Sequence, residues 1–122
     1  MANHYYSENP ETAHDLHQWS FKLAGKNFQF VTDSGVFSRD TVDYGSRVLI
    51  EHFDAEELPE GTLLDVGCGY GPIGMALAYQ TGRPVEMIDV NNRAVELAQG
   101  NAKRNGIEAD IHQSNIYETL HQ

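Results

Sequence analysis

The first regular pattern in the chain is an alternation of apolar and polar residues from Trp19 to Thr32. A period of two is typical of β-strands, and the Ala24–Asn27 stretch in the middle predicts a turn. The residues that share one face are aromatic, namely Trp19, Phe21, Phe28 and Phe30. We therefore predict a β-hairpin with one aromatic face, preceded by a polar arm over residues 1–18.

After the hairpin the pattern changes to a helix and then to alternating strands and helices. Apolar residues at a spacing of four predict a helix from Asp43 to Phe53, and we take residues 19–60 as one N-terminal unit. Two apolar runs, Thr62–Val66 and Val85–Val90, predict strands, and Glu108–His112 predicts a short third strand, with helices between them. A β-α-β-α-β order predicts an α/β fold with a parallel sheet.

A glycine-rich loop, Gly67–Gly71, follows the first of these strands. Glycine has no Cβ, so the backbone of such a loop can approach a ligand closely. The amides that begin the next helix point at the same place, at the carboxyl end of the strands. Asp89 ends the next strand 20 residues after Gly69, where an acidic residue commonly binds ribose hydroxyls.

The spacing of Gly69, Gly71 and Gly74 also matches the dinucleotide fingerprint, which is a weak signal alone. Asp65 lies close to the loop in sequence, and its carboxylate would repel a pyrophosphate and attract a cation. S-adenosylmethionine, a nucleoside with a positively charged amino-acid tail, suits both Asp65 and Asp89. A dinucleotide-binding oxidoreductase domain is the alternative.

Two segments, Asp65–Gly71 and Met87–Asn91, resemble the first motif and the ribose-binding motif of class I S-adenosylmethionine-dependent methyltransferases. Between Tyr5 and Tyr117 the chain resembles the small-domain methyltransferases of small-subunit ribosomal RNA. The resemblance implies a Rossmann-like fold, S-adenosylmethionine as cofactor, and transfer of a methyl group to the exocyclic amine of a guanine in 16S ribosomal RNA.

The resemblance implies a cofactor site of eleven residues, namely Asp65, Gly67, Cys68, Gly69, Tyr70, Gly71, Asp89, Val90, Asn115, Phe37 and Ser46. Asp65 is expected to hold the methionine end of the cofactor, and Asp89 to bind the ribose hydroxyls. The loop residues are expected to line the cofactor through their backbone.

The adenine end and the tail of the cofactor involve the remaining four positions. Val90 is expected to pack against adenine. Asn115 stands where the family usually has an aspartate, so we expect adenine recognition without the charge of a carboxylate. Phe37 and Ser46 match positions near the tail of the cofactor.

In this family an Asn-Pro-Pro motif positions the amine that is methylated, and the chain has Asn-Pro only at Asn9-Pro10. We therefore expect an N-terminal portion of the enzyme, with residues 61–122 as the cofactor-binding half, no catalytic residue, and no methyl transfer by this chain alone. A non-enzymatic regulator that binds the cofactor is a further alternative.

The strand Thr62–Val66 would have an open edge in a truncated sheet, which predicts self-association unless the hairpin covers it.

The amino-acid composition limits the partners, the metal sites and the compartment that the sequence allows. Eighteen acidic and eight basic residues give a net charge of −10, which excludes a broad basic surface for nucleic acid.

The single cysteine, Cys68, forms no intrachain disulfide and is expected to be packed. The scattered histidines predict no metal site. The basic residues Arg93, Lys103 and Arg104 lie on one predicted helix with Glu96, which predicts a solvated face. Without a leader or an apolar span, we expect a cytoplasmic protein that does not enter a membrane.

Overall fold

The computed structural model describes residues 15–34 and 41–115. Its elements comprise a pair of strands, three helices and a further set of three strands. The antiparallel strands are β1 (Leu16–Leu23) and β2 (Lys26–Asp33), the helices are α1 (Tyr44–His52), α2 (Pro72–Thr81) and α3 (Asn92–Arg104), and the parallel strands are β3 (Leu63–Val66), β4 (Val85–Asp89) and β5 (Asp110–Gln113). A short 3-10 helix spans Ala55–Glu57.

The parallel sheet has the order β3-β4-β5, with α2 and α3 as the two connections. Leu63 lies opposite Val85, and Glu86 lies opposite Asp110. The predicted α/β arrangement is thereby confirmed. Within the described ranges β3 pairs with β4 alone, and its side chains Leu64 and Val66 are 49% and 55% exposed.

The helices begin and end at residues that the sequence marks. Pro72 is the first residue of α2, and Gly82 ends that helix in the left-handed conformation. The side chain of Asn91 caps α3 by accepting hydrogen bonds from the N–H groups of Arg93 and Ala94, at 2.8 and 3.1 Å. Such ends depend on local chemistry, which explains why they were predictable.

The predicted hairpin is confirmed, and its aromatic residues lie opposite one another, Trp19 with Phe30 and Phe21 with Phe28. Its turn is the two residues Ala24 and Gly25, both at positive φ, as in the turns that suit strand twist. The predicted boundary of the polar arm at residue 18 is wrong, because β1 begins at Leu16. Residues 16–18 are exposed, and backbone pairing with β2 makes them strand despite their polar pattern.

The core lies where the hairpin, α2 and α3 meet the parallel sheet. Phe28, Phe30, Met75 and Met87 are completely buried. Gly74 allows α2 to approach β4, because a Cβ at that position would lie 2.3 Å from the Sδ atom of Met87. In the described part of the chain, no helix has the length and apolar character needed to cross a membrane.

Arg93 corrects one prediction, since it does not lie on a solvated face. Its side chain is 8% exposed, and its Nε and Nη2 atoms donate to Asp33 Oδ2 at 3.1 and 2.8 Å. Its Nη1 atom donates to Glu96 Oε1 at 2.6 Å. Asp33 is fully buried at the end of β2, so this ion pair joins the hairpin to the start of α3. The partners are 60 residues apart in sequence, which a local charge pattern does not reveal.

Candidate functional site

Backbone hydrogen bonds hold the start of the glycine-rich loop against β4. The N–H groups of Gly67 and Cys68 both donate to the carbonyl of Ile88 at 2.9 Å. Gly67, Gly69 and Gly71 have φ values of 71°, 59° and 102°, which strain any residue that carries a Cβ. The space beside Gly67 is open, because a Cβ placed there would meet no atom within 4 Å. A ligand can therefore approach this backbone closely.

The carboxylate of Asp89 holds this loop in place. Its Oδ2 atom accepts from the N–H of Gly69, and its Oδ1 atom accepts from the N–H of Asn91, both at 2.9 Å. A carboxylate has about four acceptor positions, so each oxygen keeps capacity for a further donor. The structure therefore brings Asp89 and the loop together, with acceptor capacity left at the carboxylate.

Asp65 lies on β3, and its carboxylate reaches the first turn of α2. Its Oδ2 atom accepts from the N–H of Gly74 at 3.0 Å. Burial raises the pKa of the Asp65 carboxyl, the Gly74 hydrogen bond lowers it, and the charge of Asp89 raises it further. The charge of Asp89 thus reaches Asp65, and the two carboxylates make this region negative.

Cys68 is 6% exposed and lies within the influence of both carboxylates. Burial, followed by the charges of Asp65 and Asp89, raises the pKa of its thiol to about 12. A thiol that stays protonated is a poor nucleophile. Cys68 is therefore packed, in agreement with the prediction.

The ring of Tyr70 points to the hairpin. Its centroid lies 5.3 Å from that of Phe30 and 5.7 Å from that of Trp19. Burial raises the pKa of the Tyr70 hydroxyl, and the charge of Asp43, the N-cap residue of α1, raises it further. Ser46 is bound to this same Asp43, since its hydroxyl donates to Oδ1 at 2.7 Å.

The chain after β5 runs beside the end of β4. The N–H of Ser114 donates to the carbonyl of Asp89 at 3.0 Å, and the side chain of Gln113 donates to the carbonyl of Val90 at 3.2 Å. Val90 is 61% exposed, and Asn115 is also exposed. These positions therefore flank Asp89, whereas Phe37 lies outside the described residues.

The sequence analysis missed two features near the sheet, a single residue and a cluster of three. One is Asn101, a fully buried amide that bonds to the loop. The other is the cluster of Glu86, Asp110 and His112, whose potential metal-ligating atoms lie within 4.8 Å of one another. His112 Nε2 and Glu86 Oε2 are 2.7 Å apart, and this contact raises the pKa of His112, so we describe the cluster as an ion pair beside a second carboxylate.

Comparison with known proteins gives a consistent set of likenesses. A family model described as methyltransferase small domain matches residues 27–122. The chain is 52% identical, over 122 residues, to the uncharacterized protein YbxB of Bacillus subtilis, covering 98% of this chain and 60% of that protein. It is 42% identical over 95 residues to ribosomal RNA small subunit methyltransferase C of Ectopseudomonas mendocina, covering 76% of this chain and 28% of that protein.

Two solved structures extend these likenesses to the fold. The Thermus thermophilus 16S rRNA N2 G1207 methyltransferase, in complex with AdoMet and guanosine, matches with a TM-score of 0.74 and 29% identity, over 86% of this chain and 29% of that one. The Pyrococcus abyssi tRNA (uracil-54, C5)-methyltransferase, in complex with S-adenosyl-L-homocysteine, matches with a TM-score of 0.62 and 26% identity, over 80% and 23%. The chain thus spans 60% or less of the length of each of these four proteins.

Proposed function

Because the chain belongs to the methyltransferase small domain family, we propose that it binds S-adenosylmethionine at the glycine-rich loop. Membership of this family and the Rossmann-like fold confirm two predictions made from the sequence. The observation that carries the proposal is the position of two carboxylates, Asp65 and Asp89, on either side of a loop whose backbone is open to a ligand.

The residues of the loop suit this cofactor in two respects. Asp89 keeps acceptor capacity at both oxygens, which is what two vicinal ribose hydroxyls require. The combined charge of Asp65 and Asp89 favours a cationic tail and opposes the pyrophosphate of a dinucleotide. The alternative of a dinucleotide-binding oxidoreductase domain is therefore the less favoured one.

The other proposed contacts follow from position. We propose that Val90 and Asn115 bind the adenine, since both lie beside Asp89. Ser46 is proposed to face the tail of the cofactor. The same is proposed for Phe37 on the resemblance of the sequence alone, since it lies outside the described residues. Ser46 is bound to Asp43, whose charge acts on Tyr70 in the loop. Asp65 serves the methionine end by holding the start of α2 and by adding negative charge.

S-adenosylmethionine supplies an electrophilic methyl group when it is bound. We propose that the acceptor is the exocyclic amine of a guanine in small-subunit ribosomal RNA, in the cytoplasm. The support is likeness to ribosomal RNA small subunit methyltransferase C and to a methyltransferase solved with guanosine. The net charge of −10 means that this part of the protein does not hold RNA by a broad basic surface.

Calorimetric titration with S-adenosylhomocysteine, and with NAD for comparison, tests the cofactor proposal. We expect saturable binding of S-adenosylhomocysteine and much weaker binding of NAD. Asp89→Ala should lower the affinity by at least about tenfold, because hydrogen bonds to a charged group are lost. Glu108→Ala, at an exposed position before β5, is the control and should leave the affinity unchanged. Tighter binding of NAD would overturn the proposal.

Transfer of labelled methyl groups to unmethylated small ribosomal subunits, followed by digestion to nucleosides, tests the substrate. Label in N2-methylguanosine would support a guanine amine as the acceptor. Label in another nucleoside or in a ribosomal protein would contradict that acceptor and leave the cofactor proposal standing. Cofactor binding without label would agree with the expectation that another segment positions the amine.

A further inference from the structure

Asn101 has a side-chain amide whose hydrogen-bonding groups are all used. It lies on α3 and is 0% exposed. Its Oδ1 atom accepts from the N–H of Val31 at 2.8 Å and from Arg104 Nη1 at 2.7 Å. Its Nδ2 atom donates to the carbonyl of Val31 at 3.1 Å and to the carbonyl of Tyr70 at 3.0 Å. One amide therefore contacts the hairpin and the glycine-rich loop together.

Asn105, one helical turn later, binds the hairpin in the same way. Its Oδ1 atom accepts from the N–H of Gln29 at 2.8 Å, and its Nδ2 atom donates to the carbonyl of Gln29 at 2.7 Å. Four residues of helix rise about 6 Å, close to the rise of two strand residues, so both amides meet the edge of β2 in register. The remaining Nδ2 bond of Asn105 goes to the carbonyl of Asn101 in its own helix. The two side chains differ in that Asn101 also binds the loop.

The bond from Asn101 acts on the centre of the loop. The carbonyl of Tyr70 and the N–H of Gly71 belong to one planar peptide group. That N–H donates to the carbonyl of Cys68 at 3.0 Å, so the peptide plane is held on both sides. Loss of the Asn101 bond would free this plane to rotate, because Gly71 at its C-terminal end is a positive-φ glycine.

We infer that Asn101 is a positioning residue for the cofactor loop, whereas Asn105 serves the attachment of the hairpin alone. The inference rests on the proposed cofactor function. Asn101 is thus a buried side chain, distant from the loop in sequence, that helps to set the loop conformation to which a ligand would bind.

The matched pair Asn101→Asp and Asn105→Asp tests this inference in the full chain. Each change keeps an acceptor for the N–H of β2 and removes both amide donors. We expect both variants to lose stability in urea, and Asn101→Asp to lose more, because its carboxylate is fully buried. We expect S-adenosylhomocysteine affinity to fall at least about tenfold in Asn101→Asp and less than about threefold in Asn105→Asp, as for one lost hydrogen bond. Hydrogen exchange at the Gly71 amide should rise in the first variant only.

Equal effects of the two changes on affinity and on exchange at Gly71 would overturn the inference. A wild-type chain that does not bind S-adenosylhomocysteine would overturn the proposed function instead, so the two failures are distinct. If Asn101→Asp does not fold, Asn101→Gln and Asn105→Gln take their place. Glutamine keeps both donors and displaces them by one methylene, and the same difference in affinity and exchange is required.

Discussion

The glycine-rich loop is attached to the sheet on one side and to the hairpin on the other, and the two attachments use different groups. On the sheet side, the carboxylates of Asp65 and Asp89 accept from the N–H groups of Gly74 and Gly69. On the hairpin side, the neutral amide of Asn101 donates to the loop, and the ring of Tyr70 packs among aromatic side chains.

The difference separates two tasks. The sheet side carries negative charge and keeps acceptor capacity, so its groups suit direct contact with a cationic ligand. The hairpin side places its polar groups in buried hydrogen bonds and ion pairs, so it fixes positions. Substitutions on the hairpin side should act first on stability, except at Asn101, which also binds the loop. Substitutions of the sheet-side carboxylates should act first on affinity.

Asp33→Ala is expected to have the largest effect on stability, because it leaves the buried Arg93 without its partner on β2. We expect the free energy of unfolding to fall by about 3 kcal/mol, measured by urea denaturation. The double variant Asp33→Ala with Arg93→Met should regain part of that loss, since no buried charge remains. A loss below about 1 kcal/mol in the single variant would mean that the ion pair does not hold the hairpin.

Gly74→Ala tests the close approach on the sheet side. The new Cβ would clash with Met87 and press on Asp65, so we expect a loss of about 1–3 kcal/mol in the free energy of unfolding. Gly100→Ala is the matched control, since a Cβ there meets only Arg104 Nη2 at 4.0 Å within α3. It should raise stability by about 0.5–1 kcal/mol. Equal effects in thermal unfolding would contradict the tight contact of α2 with β4.

Among residues 15–34 and 41–115, no strand pairs with the outer edge of β3, and the hairpin packs on α3 instead. We therefore predict concentration-dependent self-association through this edge, measured by analytical ultracentrifugation. Val66→Lys should weaken the association by about tenfold, a difference of about 1.4 kcal/mol. Leu49→Lys, at an exposed apolar position on α1, should leave it unchanged. A wild-type chain that stays monomeric at all concentrations would contradict this prediction.

The smallest expected effect concerns His112, whose half-exposed side chain lies on β5. The hydrogen bond to Glu86 raises the pKa of His112 above its ordinary value of 6.5, and the charge of Asp110 adds to this. The resulting stabilisation is present below about pH 6.5 and is lost as pH rises through the raised pKa. In NMR titration, Glu86→Gln should lower the pKa of His112 more than Asp110→Asn does. A wild-type pKa at or below 6.5 would contradict this assignment.

The predictable part of the fold is the part set by neighbours in sequence. Pro72, Gly82 and Asn91 mark helix ends by their own backbone preferences, and the loop motif placed Asp89 beside Gly69. Arg93 was misjudged because its partner Asp33 is 60 residues away.

The role of Asn101 is hidden in the sequence for the same reason, since its partners Val31 and Tyr70 lie 70 and 31 residues away. A signal was present, because Asn101 lies between Ala98 and Ala102 on the apolar face of α3. A polar residue in such a stripe must find hydrogen-bond partners when it is buried. The sequence pattern indicates that need but does not identify the partners.

The most direct test of the account is an amide NMR titration of the chain with S-adenosylhomocysteine. Our account predicts saturable shifts at the loop glycines Gly67, Gly69 and Gly71, with little change at Gly82 and Gly106. The latter two precede β4 and β5, at the opposite end of the sheet. Shifts at Gly82 and Gly106 with unchanged loop amides, or no shift at saturating ligand, would contradict a cofactor site at the loop.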